Sequence, residues 1–285
     1  MKIIKVLGGL GNQMFQYAFY LNHASNNNSK GASFLDISGF GKYKLHNGYE
    51  LEKIFKNIDK KYASNHDFKA LFGIFYYVSK VIKPAFKKSK KYIKQKELEF
   101  DPAYLKLSEG YFSGYWQSEK YFKNVEDILR HHFKFPALDI RNQEFINNLD
   151  HKNTISIHVR RGDYVNHPDY QNICTLEYYK KGINYFLENY ENCHFVIFSN
   201  EITWCRKNLK ISNVSYVDWN NNDDCYKDMQ LMSLCNHNII ANSSFSWWGA
   251  WLNDNKHKTV ISPTKWVNQN FIDPNDICPP QWTRI

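Results

Sequence analysis

Residues His158-Val159-Arg160-Arg161-Gly162-Asp163-Tyr164 bring two guanidiniums, an imidazole and a carboxylate into one short stretch. A guanidinium grips phosphate oxygens in a bidentate fork, so adjacent arginines point to a diphosphate. Neighbouring side chains diverge on an extended segment. One arginine is therefore expected to face the anion and the other to brace the site, against Asp163. Alone, such a triple would read as a surface salt bridge. Here it ends the strand expected at Thr154–Val159, and ligands of α/β sheets collect outside the carboxyl ends of strands.

Two further segments have phosphate-binding chemistry. In Gly8-Gly9-Leu10-Gly11-Asn12-Gln13, glycines let backbone N–H groups approach a ligand, and a following helix start favours negative charge. Gly9 and Gly11 supply the first two glycines of a G-x-G-x-x-G pattern, but Met14 stands where the third belongs, so the loop alone also fits a plain strand-to-helix turn. The second segment runs from Asp228 to Asn242-Ser243-Ser244-Phe245-Ser246-Trp247-Trp248-Gly249. Its Ser-rich turn offers hydroxyls and N–H groups to an anion, while the tryptophans read mostly as core.

These residues need a scaffold of alternating strands and helices. Lys2–Leu7 reads as a strand, Met14–Leu21 as a helix and Phe34–Asp36 as a second strand. Residues 51 to 100 read as mostly helical and lysine-rich, and 125 to 135 as an amphipathic helix ended near Pro136. A polar region from Arg141 to His151 places a domain boundary at 150/151, giving domains 1–150 and 151–285. Beyond it, strands are expected at 154–159, 194–198, 214–217, 238–241 and 259–261, the last before a Pro-rich tail. Helices are expected at 176–190, 225–235 and 244–252. This alternation calls for an α/β fold whose parallel sheets are covered on both faces.

Charge and composition narrow the function. The net charge is +9, yet eight lysines and no acid lie between Lys80 and Lys96; without that segment the chain carries +1. An aromatic run, Leu71–Val78, precedes the cluster, which fits a patch that meets a membrane surface and equally a solvated face beside a buried helix. A nucleic-acid partner is disfavoured, because the basic residues are confined to one stretch and no recognition motif accompanies them. The six cysteines form no C-x-x-C and no zinc spacing. With no leader pattern and no apolar stretch of spanning length, the expectation is a cytoplasmic protein with unpaired thiols.

GGLGNQMFQYA, HVRRGDYV and CNHNIIANSSFSWWGAWL, in this order, together with Gly114-Tyr115-Trp116-Gln117-Ser118-Glu119-Lys120-Tyr121-Phe122, resemble the α1,2-fucosyltransferase family. The resemblance runs from Met1 to about Leu252. It implies a GT-B-like architecture of two Rossmann-like domains facing a cleft, an N-terminal acceptor side and a C-terminal donor side. It implies inverting transfer of fucose from GDP-fucose to the 2-hydroxyl of a terminal β-galactose, in O-antigen or another surface glycan. The lysine-rich stretch at 80–96 fits docking near a lipid-linked glycan at the inner membrane face. Arg160 would hold the diphosphate with His158 close to the nucleotide. Arg161, Gly9, Gly11, Asn12, Gln13, Ser243 and Ser244 would complete the donor site. Asn12 would reach across the cleft, and Asp228 would read the guanine edge. Asp163 and His158 are the candidates for the base, with Asp163 also a candidate to orient Arg161. Tyr111, Phe112, Tyr115 and Trp116 are candidate acceptor-side rings. No Asp-x-Asp occurs in the chain, so arginine and helix N–H groups are expected to replace a metal, with no cofactor. Another linkage such as α1,6, or a non-catalytic nucleotide-sugar-binding role, are the alternatives.

Overall fold

A computed structural model describes residues 1–25, 31–42, 47–81, 85–149, 153–268 and 273–285. The polar stretch Asn26–Gly31 lies almost wholly outside the described residues, and Lys83 lies outside them. The chain divides into two compact units, Met1–Lys134 and Phe135–Ile285.

In the first unit the elements are β1 (Lys2–Lys5), α1 (Leu10–Ser25), β2 (Ser33–Asp36), α2 (Leu51–Ile54), α3 (Asn65–Phe72), α4 (Ile74–Val81), β3 (Tyr92–Lys94), α5 (Ala103–Lys106), β4 (Gly110–Ser113) and α6 (Glu126–His132). The sheet is parallel in the order β2-β1-β4-β3. Helix α1 is buried nearly all round: Met14, Phe15, Tyr17, Ala18 and Phe19 are fully covered. Phe19 stacks on Trp116 with ring centres 4.2 Å apart. The stretch 51–100 is less helical than its composition suggests. Gly73, at φ 53°, separates α3 from α4, and Tyr92–Lys94 joins the sheet beside Tyr111–Ser113. That pairing is long-range, and local pattern does not carry it.

The second unit comprises α7 (Ile140–Asn147), β5 (Asn153–Val159), α8 (Leu176–Asn189), β6 (Cys193–Ser199), α9 (Ile202–Asn208), β7 (Val214–Val217), α10 (Tyr226–Leu234), β8 (His237–Ile239), α11 (Ser244–Trp251), β9 (Val260–Ser262), α12 (Pro274–Ile277) and β10 (Thr283–Arg284). Its boundary falls at 134/135, not 150/151. Helix α7 is tied into the second unit, where Asn142 Nδ2 donates to Asn220 Oδ1 at 2.9 Å and Trp219 Nε1 donates to Asn142 Oδ1 at 3.0 Å. The 259–261 segment is not the last strand either, because Thr283–Arg284 pairs with Ile261–Ser262.

All six strands are parallel, in the order β10-β9-β8-β5-β6-β7. The two-residue side-chain period divides them between two apolar layers. Ile155, Ile157, Val159, Phe195 and Ile197 pack with Tyr178, Tyr179, Ile183 and Phe186 of α8. Val196 and Phe198 meet Leu231 and Met232 of α10 on the other face. Burial on both faces is why β6 reads as a near-continuous apolar run, whereas β5 alternates Ile155, Ile157 and Val159 with the buried polar side chains of Thr154, Ser156 and His158.

Helices α10 and α11 meet closely at Gly249, where a Cβ would come within 2.9 Å of Met232 Cβ. Gly249→Ala gains about 1 kcal/mol of helix propensity but incurs about 1–3 kcal/mol of overpacking. Met232 Cβ sits beside its own backbone and cannot swing away, so a net loss on the order of 1 kcal/mol is expected. Seven of the eight tryptophans lie in this unit, so fluorescence-detected urea unfolding reads it directly. A midpoint that stays or rises would show that the two helices part without cost.

Candidate functional site

Strand β5 is the first of the second sheet yet sits between β6 and β8. The chain lays β6 and β7 on one side of it, then returns to lay β8, β9 and β10 on the other. Such a reversal leaves a crevice at the carboxyl ends of the two central strands, the usual ligand position in doubly wound sheets. The arginine motif leaves β5 there and the Ser-rich turn leaves β8 there. The ring centres of His158 and Phe245 are 5.8 Å apart, and Cys174 Sγ lies 3.4 Å from Asn242 Oδ1.

The structure divides the two arginines. Arg161 lies over the Trp204 ring at 4.0 Å, and its Nε donates to Glu201 Oε2 at 2.9 Å. Glu201 Oε1 also accepts from the Gly162 N–H at 2.8 Å, and Asn200 Oδ1 accepts from the Arg161 N–H at 3.1 Å. Arg161 and the Gly162 N–H hold the Glu201 carboxyl below the usual glutamate range. Arg160 Nη2 instead donates to Asp163 Oδ1 at 2.7 Å, with its guanidinium 5.2 Å from the Tyr164 ring centre. Asp163 thus orients Arg160, and the brace on Arg161 is Glu201. The expected Asp163–Arg161 pairing is corrected, because residues three apart on this turn meet and residues two apart do not. A guanidinium has five N–H donors, so the single bond to Asp163 leaves Arg160 with capacity for an anion.

His158 is 7% exposed, and its Nδ1 is buried without a hydrogen-bond partner. Burial, reinforced by the charge of Arg160, lowers its pKa to about 3. Burial therefore favours the neutral imidazole, a weak base. Asp163, with a side chain 60% exposed and committed to Arg160, is no better prepared.

Ser243 is the N-cap residue of α11 and is buried, but its side chain makes no cap bond. The first N–H groups of a helix lack intrahelical partners, and Ser244 opens α11 half-buried. Ser246 is structural: its hydroxyl lies 3.3 Å from the Ser243 carbonyl and 3.4 Å from that of Ala241. On α10, Asp228 Oδ1 accepts from Asn220 Nδ2 at 2.9 Å. Burial raises the Asp228 pKa to about 7 despite that bond. Asn220 is in turn bonded to Asn142.

In the first unit the glycine segment is shorter than expected. Helix α1 starts at Leu10, so Gly11, Asn12 and Gln13 already lie within it. Gln13 is fully buried. Its Nε2 donates to the Gly8 and Gly48 carbonyls at 2.9 and 2.7 Å, and its Oε1 accepts from the Glu50 N–H at 2.9 Å. With its amide spent on backbone, Gln13 braces a loop and is not available to a donor; Gly11 is buried as well. Asn12 is partly exposed, and its Oδ1 accepts from Gln117 Nε2 at 2.7 Å. Among the candidate acceptor rings, Tyr111, Phe112 and Trp116 are core, at 4%, 0% and 0% exposure, and Tyr115 at 38% is the one open to a sugar.

The sequence gives no site role to Glu201, Asn200, Trp204, Asn220 or Gln117. Ser199-Asn200-Glu201 ends a buried strand adjacent to β5, which was the available signal for the first two. Among the described residues, no three of His, Cys, Asp or Glu converge as a metal-binding group. The six cysteines are unpaired.

The chain is 33% identical over 296 residues to the alpha-1,2-colitosyltransferase of Escherichia coli, covering 99% of this chain and 98% of that protein. It is 32% identical over 289 residues to the O-antigen biosynthesis glycosyltransferase WbnK of the same species, covering 92% and 94%. Among solved structures it is similar to the fucosyltransferase NodZ from Bradyrhizobium, with a TM-score of 0.53, 12% identity and coverage of 88% of this chain and 91% of that one. That likeness is one of fold: α/β, GT-B-like, with Rossmann-like units. The family profile described as Glycosyl transferase family 11 matches residues 1–285, and the chain belongs to that family.

Proposed function

We propose that this glycosyltransferase moves L-fucose, with inversion and without a metal, from GDP-fucose to the 2-hydroxyl of a terminal β-galactose in a bacterial surface glycan. The observation that carries the donor half is the pair of anion-ready groups at the β5/β8 reversal: Arg160, held by Asp163, and the uncapped start of α11 at Ser243–Ser244. A leaving GDP gains negative charge as its bond to the sugar breaks, and preorganised N–H donors stabilise that charge. Asp228 supports guanine as the base, since a carboxylate accepts from both N1–H and the 2-amino group. The family and its O-antigen relative support a glycan acceptor.

A second reading follows from the relative that transfers colitose. Colitose is L-fucose without its 3-hydroxyl, so GDP-colitose would differ from GDP-fucose at one ring position. Turnover of GDP-colitose well above that of GDP-fucose would select this reading.

The first test follows GDP release from GDP-fucose in EDTA, with and without lactose. Acceptor-dependent release is expected. Absence of release together with absence of GDP-fucose binding would overturn the donor assignment. In the same assay Arg160→Ala should lose nearly all activity with the fold intact. Retention of more than about a tenth of kcat/KM, a loss under about 1.4 kcal/mol, would refute the diphosphate role. Asp163→Ala should weaken both GDP binding and turnover, and Asp163→Asn, which still accepts from Arg160, should restore most of both. A loss of about 100-fold or more in kcat with GDP affinity kept, shared by both variants, would instead mark Asp163 as the base.

Asp228 gives a pH signature. A carboxyl with folded pKa about 7 holds a proton that the unfolded chain, at about 3.9, has released. The folded state binds more protons between those values, so this group's contribution to stability falls as pH rises from about 4 to about 7. Reading guanine requires the ionised form, so GDP affinity should fall about tenfold per pH unit below 7. Asp228→Asn should flatten that slope, leaving only the titration of the nucleotide phosphate, and should narrow the preference for GDP over ADP. Identical pH profiles for the two proteins would make Asp228 structural.

A further inference from the structure

We propose that α4 and the exposed lysines Lys87, Lys88, Lys90, Lys94 and Lys96 form a docking surface for an anionic phospholipid bilayer. The observation is an apolar helix face left open beside a concentration of exposed positive charge. Outward from α4 project Ile74 at 69% exposure, Phe75 at 37%, Tyr77 at 54% and Val78 at 37%. At 100° per residue, Ile74 and Val78 lie together in the middle of one face, with Phe75 and Tyr77 on its flanks. The opposite face is already used. Tyr76 packs on the buried cluster of Ile3, Leu71, Phe72 and Tyr111, and its hydroxyl donates to Asn65 Oδ1 at 3.1 Å. Helix α4 is therefore apolar inside and outside, which water alone does not favour.

The basic segment is fixed to the same cluster. Phe86 lies 5.5 Å from both the Phe72 and the Tyr92 ring centres. Around it Lys87, Lys88, Lys90, Lys94 and Lys96 are exposed. Lys91 is set apart by an ion pair with Glu109 at 3.2 Å. No acid interrupts Lys80–Lys96, and Glu97 and Glu99 follow it. An interfacial helix has this composition: aliphatic and aromatic side chains to enter the acyl boundary, and lysines to meet anionic headgroups. A nucleic acid would use the lysines but has no use for Ile74 and Val78. Among the described residues no helix is long and apolar enough to cross a membrane, so the contact proposed is peripheral. It does not depend on which sugar or linkage the enzyme handles.

The test is co-sedimentation of the full chain with phosphatidylcholine vesicles, with and without about a third phosphatidylglycerol. Binding is expected with the anionic lipid and not without it. It should weaken as salt rises from about 0.1 to about 1 M, where the Debye length shrinks from about 10 to about 3 Å. Each lysine near such a surface contributes roughly fivefold in partitioning, so Lys87→Gln, Lys88→Gln and Lys90→Gln combined should lower it on the order of 100-fold. Ile74→Ser with Val78→Ser keeps the charge and should lower it at least about tenfold. All five positions are exposed, and unchanged thermal unfolding confirms that the variants fold. Equal binding to neutral vesicles, or unchanged binding by the lysine variant, overturns the proposal. So does an Ile74→Ser/Val78→Ser protein that binds anionic vesicles as before, because the patch would then be a general polyanion site.

Discussion

Hydrogen bonding holds β5 on both sides, to β6 and to β8, and the chain can leave it only where the sheet topology reverses. The backbone turns there through Gly162 at φ 45°, where a Cβ would lie 2.4 Å from Asn200 Nδ2. Glycine is needed at that point for both conformation and space. The turn is pinned from the neighbouring strand, since Glu201 accepts from the Arg161 side chain and from the Gly162 N–H. One carboxylate thus neutralises one arginine and shapes the loop that presents the other. Arg160 is oriented by Asp163, but the loop that presents it is held by Glu201, forty places from Arg161 at the adjacent strand end.

What could be read from the sequence follows the range of the interaction. Strands β5, β6 and β7 and helices α8, α10 and α11 were legible, because apolar period and burial on two faces leave local marks. The strand-end position of the arginine motif was legible for the same reason. Illegible were the partners. Asp163 is three residues from Arg160 and two from Arg161, and spacing alone did not say which it would meet. Glu201 is separated from both by a helix and a strand. Strands β3 and β10 are only three and two residues long and exist through pairing to β4 and β9. The unit boundary was misplaced because α7 is polar on its surface, while Asn142 and its buried bonds to Asn220 tie it inward.

The first unit shows the same dependence in its buried amides. Gln13 and Gln16 lie one turn apart on α1, and each spends its amide on backbone far away in sequence. Gln16 accepts from the Leu7 N–H at 2.9 Å and donates to the Gly114 carbonyl at 3.0 Å. Removing such a side chain strands buried backbone groups, which costs more than the bond itself contributed. The glycine motif is therefore chiefly a way of seating α1 against its surrounding loops. Asn12, partly exposed and held by Gln117, is the member left facing outward. Trp116 adopts φ 55°, unusual for a bulky residue, just before Gln117. A stack against Phe19 and a Gln95 Oε1 that accepts from the Tyr115 and Trp116 N–H groups hold it there.

Burial acts on His158 and Asp228 in opposite senses with one result. It lowers the imidazole to about 3 and raises the carboxyl to about 7, so in each case the neutral form is favoured. Among the described residues the second unit therefore places Arg160 beside a histidine that favours its neutral form and a solvent-exposed Asp163. This balance suits a reaction whose demand is to stabilise a leaving anion more than to generate a strong nucleophile. If the sugar–phosphate bond breaks early and its charge is taken up by Arg160 and the start of α11, the acceptor hydroxyl becomes acidic only as it bonds to the sugar. Its proton can then pass late, to a phosphate oxygen already held in place, and a preset base adds little to the rate.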